Sequence, residues 1–308
     1  MQRRPLGSTG EEVSIVAFGT GSLGDMYGAL DESDALRLVD RVVDAGIDVI
    51  DTSPYYGSAE ARLGRALTPE KRDRVLLCTK AGRYGLDDFD FSPARIRSSL
   101  EESLRTLRTD RVDVLQLHDV EFRPLGSIFE DSVAELVALR AQGKCRFIGM
   151  TGYPLKTFQR VLLETDVDMI LTHSKDTLLD SSLTEVLMPI ARERGIGVMN
   201  AAALAVGLLT AGGSRVQFDH PASADDQSAA ERMRKLAVER DVDISFIANQ
   251  FAIQRTGAAT TVIGAGRWAH VESAIRAAQT PIDPDLLCEF LALRPDSSEW
   301  DLGLLANR

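Results

Sequence analysis

Four polar residues could together handle a proton, because each lies at or just beyond the end of a predicted strand. They are Asp51 and Tyr56 in DTSPYYG, Lys80 in LLCTKAG and His118 in LQLHD. A phenol has an ordinary pKa of ~10, and a nearby ammonium stabilises the phenolate, so we expect Lys80 to lower the pKa of Tyr56. Asp51 is expected to hold the ammonium by a charge-assisted hydrogen bond, and His118 to position a substrate oxygen beside the phenol. This chemistry suits a carbonyl or an alcohol.

Each of these residues has a simpler interpretation when it is taken alone. Asp51 precedes Thr-Ser-Pro and could cap a turn, and Tyr56 could be a packing residue of a loop. A single lysine at a strand end is usually a solvated charge, and a single histidine is usually structural. Their joint position favours chemistry, since an α/β barrel gathers its catalytic groups at the carboxyl ends of its parallel strands.

The chain alternates predicted strands and helices eight times after an opening that predicts a hairpin. Short apolar runs predict strands over 13–19, 48–53, 75–80, 112–118, 147–151, 169–173, 197–202 and 260–264. Amphipathic spacing predicts helices over 33–45, 59–67, 93–108, 129–142, 154–164, 182–194, 244–256 and 268–278. Eight such units favour an α/β fold of the (β/α)8 TIM barrel type, occupying residues 1–308 as one domain.

A doubly wound parallel sheet is the alternative to the barrel. It is disfavoured because the first strand-to-helix turn, GTGSLGDMYG, is too long and polar for a dinucleotide-binding turn despite its glycines. Residues 205–230 form a long insertion between the seventh strand and its helix, which is either a lid or cofactor clasp or a plain surface loop. The tail, 284–308, predicts one short helix and then a polar stretch that contains Trp300.

Composition and charge exclude several classes of function. Of the 308 residues 44% are hydrophobic and 26% charged, and a net charge of -11 spread along the helices argues against a nucleic acid partner. No apolar stretch reaches the ~18 residues of a membrane span, and the start of the chain lacks the apolar core of a signal peptide. We therefore expect a cytoplasmic protein with no membrane association. The three cysteines and four histidines lack metal-site spacing, which predicts reduced thiols and no metal.

At these residues the chain resembles the aldo-keto reductase family over nearly its whole length. DTSPYYGSAEARLG resembles the family's Asp-Thr-x-x-x-Tyr-Gly segment, and the four polar residues match the family's catalytic tetrad in order and in strand placement. Within the family, RPLGSTG, KAGRYGLDDFDFS, LHDVEF, GKCRFIGMTGYPL and AAALAVGLLT are most similar to the L-galactose, L-fucose and D-threo-aldose 1-dehydrogenases.

The resemblance implies an NAD(P) cofactor that lies extended across the mouth of the barrel. Backbone amides and one guanidinium suit the binding of its phosphates. The implied contacts are Gly19 and Thr20 near the nicotinamide ribose, Thr151 and Gly152 near the carboxamide, and Ala201, Leu204, Gly207, Gly264, Ala265, Gly266, Arg267 and Glu272. Arg267 would suit the 2′-phosphate of NADP, whereas similar sugar dehydrogenases often use NAD, so both cofactors stay open.

The chain departs from the family pattern where the nicotinamide is expected. Many relatives have Ser-Asn where this chain has Thr151 and Gly152, so another group, such as Thr172 or His173, is expected to supply one hydrogen bond to the carboxamide. Ala201 stands where an aromatic residue commonly stacks on the nicotinamide ring.

The resemblance implies an enzyme that removes a hydride from the anomeric carbon of a free aldose and gives a lactone. In this direction Tyr56, as phenolate, takes the hydroxyl proton, while Lys80 and Asp51 tune it. The implied substrate is a small sugar of the L-galactose, L-fucose or D-threo-aldose type. The rim of the sugar-binding pocket is expected to consist of Met26, Tyr27, Tyr55, Phe122 and Trp300.

Four other functions stay open at this point. The same residues could reduce an aldehyde with NAD(P)H or oxidise a pyridoxal-type substrate. The barrel could also be a cofactor-binding regulatory subunit, as in the potassium-channel β subunits, although such a module does not need an intact tetrad. A metal-dependent isomerase or hydrolase that uses His118 and Asp119 would be sensitive to a chelator.

Overall fold

The computed structural model describes residues 1–214, 220–298 and 300. A short antiparallel hairpin, β1 (Arg3–Pro5) and β2 (Glu12–Ser14), precedes the barrel. The eight parallel barrel strands are β3 (Val16–Gly19), β4 (Val49–Asp51), β5 (Leu76–Ala81), β6 (Val114–Leu117), β7 (Phe147–Gly152), β8 (Met169–His173), β9 (Gly197–Ala201) and β10 (Thr260–Gly264). Each strand pairs with the next, and β10 pairs with β3, which closes the barrel. The predicted (β/α)8 fold is therefore confirmed, and the doubly wound sheet is wrong.

Helices connect the strands and surround the barrel. The α-helices span Glu32–Asp44, Ala59–Ala66, Pro69–Arg72, Pro93–Leu107, Leu125–Ser127, Val133–Ala141, Leu155–Glu164, Met188–Arg194, Ala224–Glu239, Ile244–Gln254, Trp268–Gln279 and Pro284–Leu291. Single π-turns over Ile128–Ser132 and Leu183–Leu187 join the helices that flank them, and 3-10 turns span Gly21–Gly24, Val120–Phe122 and Ala205–Gly207. None of the helices in the described ranges is long and apolar enough to cross a membrane.

Capping residues fix where several helices begin. The Ser92 hydroxyl accepts a hydrogen bond from the Arg95 amide, and Pro93 takes the first helical position, as the sequence predicts. The long insertion, in contrast, is not all loop. Ser223 caps a helix over Ala224–Glu239 by accepting from the Asp226 amide, so the predicted loop ends where this helix begins. Residues 215–219 of the insertion lie outside the described part of the chain.

The first predicted strand, 13–19, is split in the structure. Its beginning pairs with β1 in the hairpin, the chain bends at Ile15, and only Val16–Gly19 enters the barrel. The hairpin contributes Leu6 and Val13 to the apolar interior at one end of the barrel. A continuous apolar run cannot distinguish one strand from two, because both halves are buried.

The alternation of side chains along each strand determines which residues enter the barrel. In β4, β5 and β6 the interior apolar cluster contains Val49, Cys78 and Val114, whereas intervening residues such as Ile50 pack against the helices. Because side chains repeat every second residue, the positions two residues further along each strand also face inward. These positions are polar, which places a hydrophilic layer above the apolar interior at the carboxyl ends of the strands.

Close contact between two helices supports the β4–β5 side of the barrel. A Cβ atom added at Gly64 would lie 2.2 Å from the Thr106 carbonyl oxygen, which belongs to the facing helix backbone. We predict that Gly64→Ala lowers the free energy of unfolding by about 1–3 kcal/mol, because the helices must separate. Gly126→Ala is the matched control, since a Cβ there meets nothing within 4 Å. Urea denaturation measures both variants, and equal stability would contradict this packing.

Candidate active site

A buried ammonium lies at the centre of the predicted polar group. Lys80 Nζ donates to Asp51 Oδ2 at 2.5 Å and to the Thr52 carbonyl oxygen at 2.9 Å. The remaining Asp51 oxygen accepts from Gln116 Nε2 at 3.0 Å, and the Tyr56 hydroxyl lies 3.4 Å from Lys80 Nζ. The side chains of Lys80 and Asp51 are only 1% and 5% exposed. The structure thus brings the predicted phenol, ammonium and carboxylate together in one hydrogen-bonded chain.

The electrostatics of this hydrogen-bonded chain differ from what we expected for the pKa of the Tyr56 phenol. Burial opposes a charge on Lys80, but the Asp51 carboxylate outweighs burial and raises the lysine pKa above its usual value. Burial also raises the pKa of Tyr56 well above ~10, and Lys80 only partly offsets this effect. The expected lowering of the Tyr56 pKa is therefore wrong for the protein alone. At neutral pH Lys80 is charged and Tyr56 is a neutral phenol.

The fourth predicted residue, His118, stands edge-on to the Tyr56 ring with 5.7 Å between ring centroids. Burial lowers the pKa of His118 to about 3, so the imidazole is neutral at neutral pH. His118 Nδ1 lies 3.0 Å from the Ser53 hydroxyl, which already accepts from the Tyr55 amide. When the Ser53 hydroxyl donates its own proton to Nδ1, Nε2 carries the imidazole proton. This tautomer can donate a hydrogen bond to a substrate oxygen.

A second buried ion pair lies on the other side of His118. Arg83 Nη1 donates to Asp119 Oδ2 at 2.5 Å, and the same carboxylate oxygen is 3.8 Å from His118 Nε2. The Thr151 hydroxyl accepts from the Asp119 amide at 3.2 Å and lies 3.4 Å from Asp119 Oδ1. Burial opposes ionisation of Asp119, but the Arg83 guanidinium, which is charged and hydrogen-bonded to this carboxylate, holds its pKa below the usual range. Asp119 is therefore a carboxylate.

Two of the predicted substrate residues gather around the Arg83 guanidinium. Its central carbon lies 4.3 Å from the Tyr55 ring centroid and 5.6 Å from that of Phe122, and Arg83 Nη2 is 3.4 Å from the Tyr55 hydroxyl. Phe89 extends this wall, with its ring centroid 4.6 Å from Phe122. Tyr55 is also 5.9 Å from His118, so the wall adjoins the tetrad.

The other predicted rim residues are distributed differently. Met26 and Tyr27 are exposed in the loop after β3 and lie over Gly21. Trp300, in contrast, is buried and stacks on Tyr153 with 5.6 Å between centroids. The structure therefore does not place Trp300 with Tyr55 and Phe122.

The predicted cofactor residues lie at the carboxyl ends of four strands or in the segments that follow. Gly19 ends β3 and is followed by Thr20, and Thr151 and Gly152 end β7. Ala201 ends β9 ahead of Leu204 and Gly207, and Gly264 ends β10 ahead of Ala265, Gly266, Arg267 and Glu272. The Thr20 hydroxyl donates to the Asp51 carbonyl oxygen, which ties β3 to the tetrad. Glu272 instead accepts from Trp268 Nε1 on the exposed face of its helix.

Sequence reasoning missed several residues that complete the site. Gln116 was detectable, because it lies two residues before His118 and so faces the same interior. Ser53 was detectable in the same way from Asp51. Arg83 and Glu121 follow strand ends without a motif, and only the fold brings them beside the tetrad.

One group of possible metal-ligating side chains in the described part of the chain could hold a cation. Oxygen or nitrogen atoms of Asp119, Glu121 and His173 lie within 4.8 Å of one another. The Arg83 guanidinium already occupies an Asp119 oxygen, and its positive charge disfavours a metal ion at this point.

Comparison with known proteins agrees with this geometry. The sequence model of the Aldo/keto reductase family matches residues 16–290. The L-galactose dehydrogenase of Arabidopsis thaliana is 37% identical over 320 residues, which include all of this chain and 99% of that protein. The D-threo-aldose 1-dehydrogenase of Pseudomonas sp is 27% identical over 315 residues, or 93% of this chain and 96% of that protein. A holo-form aldo-keto reductase of Bacillus halodurans shares the fold, with a TM-score of 0.79, 24% identity, and coverage of 96% and 97%.

The chain therefore belongs to the aldo/keto reductase family, as its motifs predict. It is an NAD(P)-dependent oxidoreductase.

The Ser53–His118 hydrogen bond provides a test of the tautomer. We predict that Ser53→Ala lowers turnover about tenfold, since one hydrogen bond of about 1.4 kcal/mol no longer fixes the imidazole. Ser103→Ala is the control, because Ser103 is an equally buried serine that donates to Glu60 on a helix outside the barrel. Nitrogen NMR shifts of His118 report the tautomer directly. A variant with unchanged turnover and an unchanged Nε2-protonated spectrum would contradict the role of Ser53.

Proposed function

We propose that residues 1–308 form one barrel domain that oxidises the anomeric carbon of a free aldose to a lactone with NAD(P) as oxidant. The observation that carries this proposal is the buried arrangement of Tyr56, Lys80 and Asp51 beside the neutral imidazole of His118. Both curated relatives described above are named as dehydrogenases of aldoses, which supports a sugar as the substrate.

The chain's own residues would handle the proton of the anomeric hydroxyl. His118 Nε2–H would donate to that oxygen and hold it beside Tyr56. The Tyr56 phenolate would take the proton as the C1–O bond gains double-bond character. The Lys80 ammonium, fixed by Asp51, would stabilise the phenolate before this transfer. When bound, NAD(P) supplies the acceptor for the hydride that leaves C1.

Several features of the barrel mouth fit a nicotinamide cofactor. Gly264 ends β10 in an exposed position where a Cβ would meet nothing within 4 Å, so a ligand can approach the backbone. Arg267 is exposed and precedes the helix Trp268–Gln279, whose first turn has no side-chain cap. Amides and a guanidinium in this arrangement suit the cofactor phosphates. Thr20 and Gly19, beside Asp51, would line the nicotinamide end.

The wall around Arg83 would contact the sugar. Tyr55 and Phe122 offer flat apolar faces, while the Tyr55 hydroxyl and the guanidinium offer polar groups for sugar hydroxyls. The exposed Met26 and Tyr27 would complete the rim from the loop after β3. The cysteines are all unpaired, including the exposed Cys288, which supports function in a reducing compartment such as the cytoplasm.

The proposal predicts a substrate and a pH dependence. A panel of aldoses, alcohols and aldehydes with NAD and NADP should show oxidation of L-galactose, L-fucose or a sugar of matching ring stereochemistry, with lactone as the first product by NMR. Because the pKa of Tyr56 is raised, the phenolate fraction and the oxidation rate should rise from pH 7 to about 10 without a plateau. His118, with a pKa of about 3, should add no step in this range.

Two variants separate the contributions of Tyr56 and Glu121 to the pH dependence of the oxidation rate. Tyr56→Phe should lose turnover by roughly 10² to 10⁴ and keep cofactor affinity, because only the proton carrier is removed. Glu121→Gln removes a second group that titrates in this range, since burial raises the Glu121 pKa to about 8. Fast reduction of aldehydes without oxidation of any aldose would contradict the sugar dehydrogenase assignment.

A further inference from the structure

The Glu121 carboxyl group occupies the space beside Gly152 that a side chain would otherwise fill. A Cβ atom added at Gly152 would lie 2.1 Å from Glu121 Oε2 and 3.0 Å from Phe158 Cε2. One carboxyl oxygen, Oε1, accepts from the Tyr153 amide at 2.9 Å. Because residue 152 has no side chain, Glu121 reaches the end of β7. The hydrogen bond from the Tyr153 amide holds it there.

The other carboxyl oxygen has no partner. Glu121 Oε2 is buried and makes no hydrogen bond within residues 1–214, 220–298 and 300. A buried carboxyl oxygen without a partner costs free energy, so a ligand that supplies one is strongly favoured. The Glu121 carboxyl group offers one of its oxygens to the group of Glu121, Asp119 and His173, and Asp119 in turn lies 3.8 Å from His118 Nε2. The carboxyl group that carries the unpaired oxygen therefore lies beside the tetrad.

Hydride transfer places a specific polar group at this point. The reacting carbon of a nicotinamide must come within about 3–3.5 Å of the substrate carbon, which the tetrad holds. The carboxamide is attached to the neighbouring ring carbon, so it must also lie close to the tetrad. It carries both N–H donors and a carbonyl acceptor.

We propose that Glu121 binds the carboxamide of the nicotinamide cofactor through its unpaired Oε2, in the space left by Gly152. This inference rests on the proposed function. A carboxyl group can serve in either protonation state, because a carboxylate accepts from the amide N–H and a carboxylic acid can also donate to the amide carbonyl. Burial and the Asp119 charge favour the acid, whereas the Arg83 guanidinium favours the carboxylate, and His173 faces the same group.

Thr172 is the main competitor for this role. It pairs with Gly152 across β7 and β8, it is fully buried, and its hydroxyl also has no partner in the described part of the chain. His173, the other residue expected to compensate for Gly152, packs against the Tyr153 ring at 5.5 Å. The experiment must therefore separate Glu121 from Thr172.

The test measures dissociation constants of NADH and NADPH for the full-length protein, without substrate, by fluorescence titration. ADP-ribose serves as the matched ligand, because it keeps the phosphates and adenine but lacks the nicotinamide. Glu121→Ala should weaken binding of the preferred cofactor about tenfold, the equivalent of one hydrogen bond of about 1.4 kcal/mol, and change ADP-ribose affinity less than about twofold. Glu121→Gln, which keeps a donor and an acceptor, should retain most of the affinity.

Two further variants make the result specific. Gly152→Ala should reproduce the loss seen for Glu121→Ala, because the new methyl group displaces the carboxyl group from the same space. Thr172→Val, which removes only a hydroxyl, should bind the cofactor like the unchanged protein. Thermal unfolding of each variant confirms that it is folded, and Gly152→Ala carries the test if Glu121→Ala is not folded.

Three results would overturn the inference. Equal weakening of cofactor and ADP-ribose would make Glu121 a purely structural residue. No change in Glu121→Ala would leave its oxygen without a role in cofactor binding, and a loss confined to Thr172→Val would assign the contact to Thr172. Failure of the unchanged protein to bind NADH or NADPH would instead contradict the proposed function itself.

Discussion

The buried ion pair between Lys80 and Asp51 is the interaction on which the rest of the site depends. An ammonium with 1% of its side chain exposed is tolerated only if its hydrogen bonds are satisfied, and Asp51 and the Thr52 carbonyl do this. Gln116 in turn holds the second Asp51 oxygen. Because each partner comes from a different strand or its end, the pair constrains how β4, β5 and β6 align. The ion pair therefore stabilises the alignment of these strands, and the closed barrel in turn holds the charged groups together.

A second pair, Arg83 and Asp119, surrounds His118 with fixed charges of both signs. Burial opposes a charge on the imidazole, and together with the two buried cations nearby it outweighs the Asp119 carboxylate, so the ring stays neutral. Asp119 also disfavours a charge on Glu121, whose pKa burial raises to about 8. The mouth of the barrel thus holds two charged pairs and, at neutral pH, a neutral phenol and a neutral imidazole. A neutral phenol can donate its proton to a substrate oxygen, whereas taking a proton from a substrate oxygen first requires ionisation of Tyr56 beside the Lys80 ammonium.

The sequence predicted the barrel and the tetrad for the same physical reason. Buried parallel strands produce apolar runs, and a polar residue at the end of such a run, such as Lys80 or His118, stands out from its neighbours. The helix over Ala224–Glu239 was missed, because its capping residues Ser223 and Asp226 are also typical of loops. The direction of the Tyr56 pKa shift was predicted wrongly, since the balance of burial against a neighbouring charge depends on packing.

Contacts between segments that are far apart in the sequence could not be predicted from the spacing of residues within each segment. Glu121 fills the space at Gly152 only because the turn after β6 folds over the end of β7. Trp300 packs on Tyr153 rather than beside Tyr55. The sequence could not predict this contact, because a single aromatic residue after a polar stretch shows no hydrophobic periodicity that would indicate its neighbours.

The central claim is that the tetrad takes a proton from the anomeric hydroxyl while C1 loses a hydride. An aldose labelled with deuterium only at C1 tests this claim most directly, with mass spectrometry of the reduced cofactor and of the lactone. The account predicts one deuterium in the cofactor, none in the lactone, and a slower rate than with the unlabelled sugar when hydride transfer limits turnover. Deuterium retained in the oxidised sugar would mean that another carbon is oxidised, and it would contradict the account.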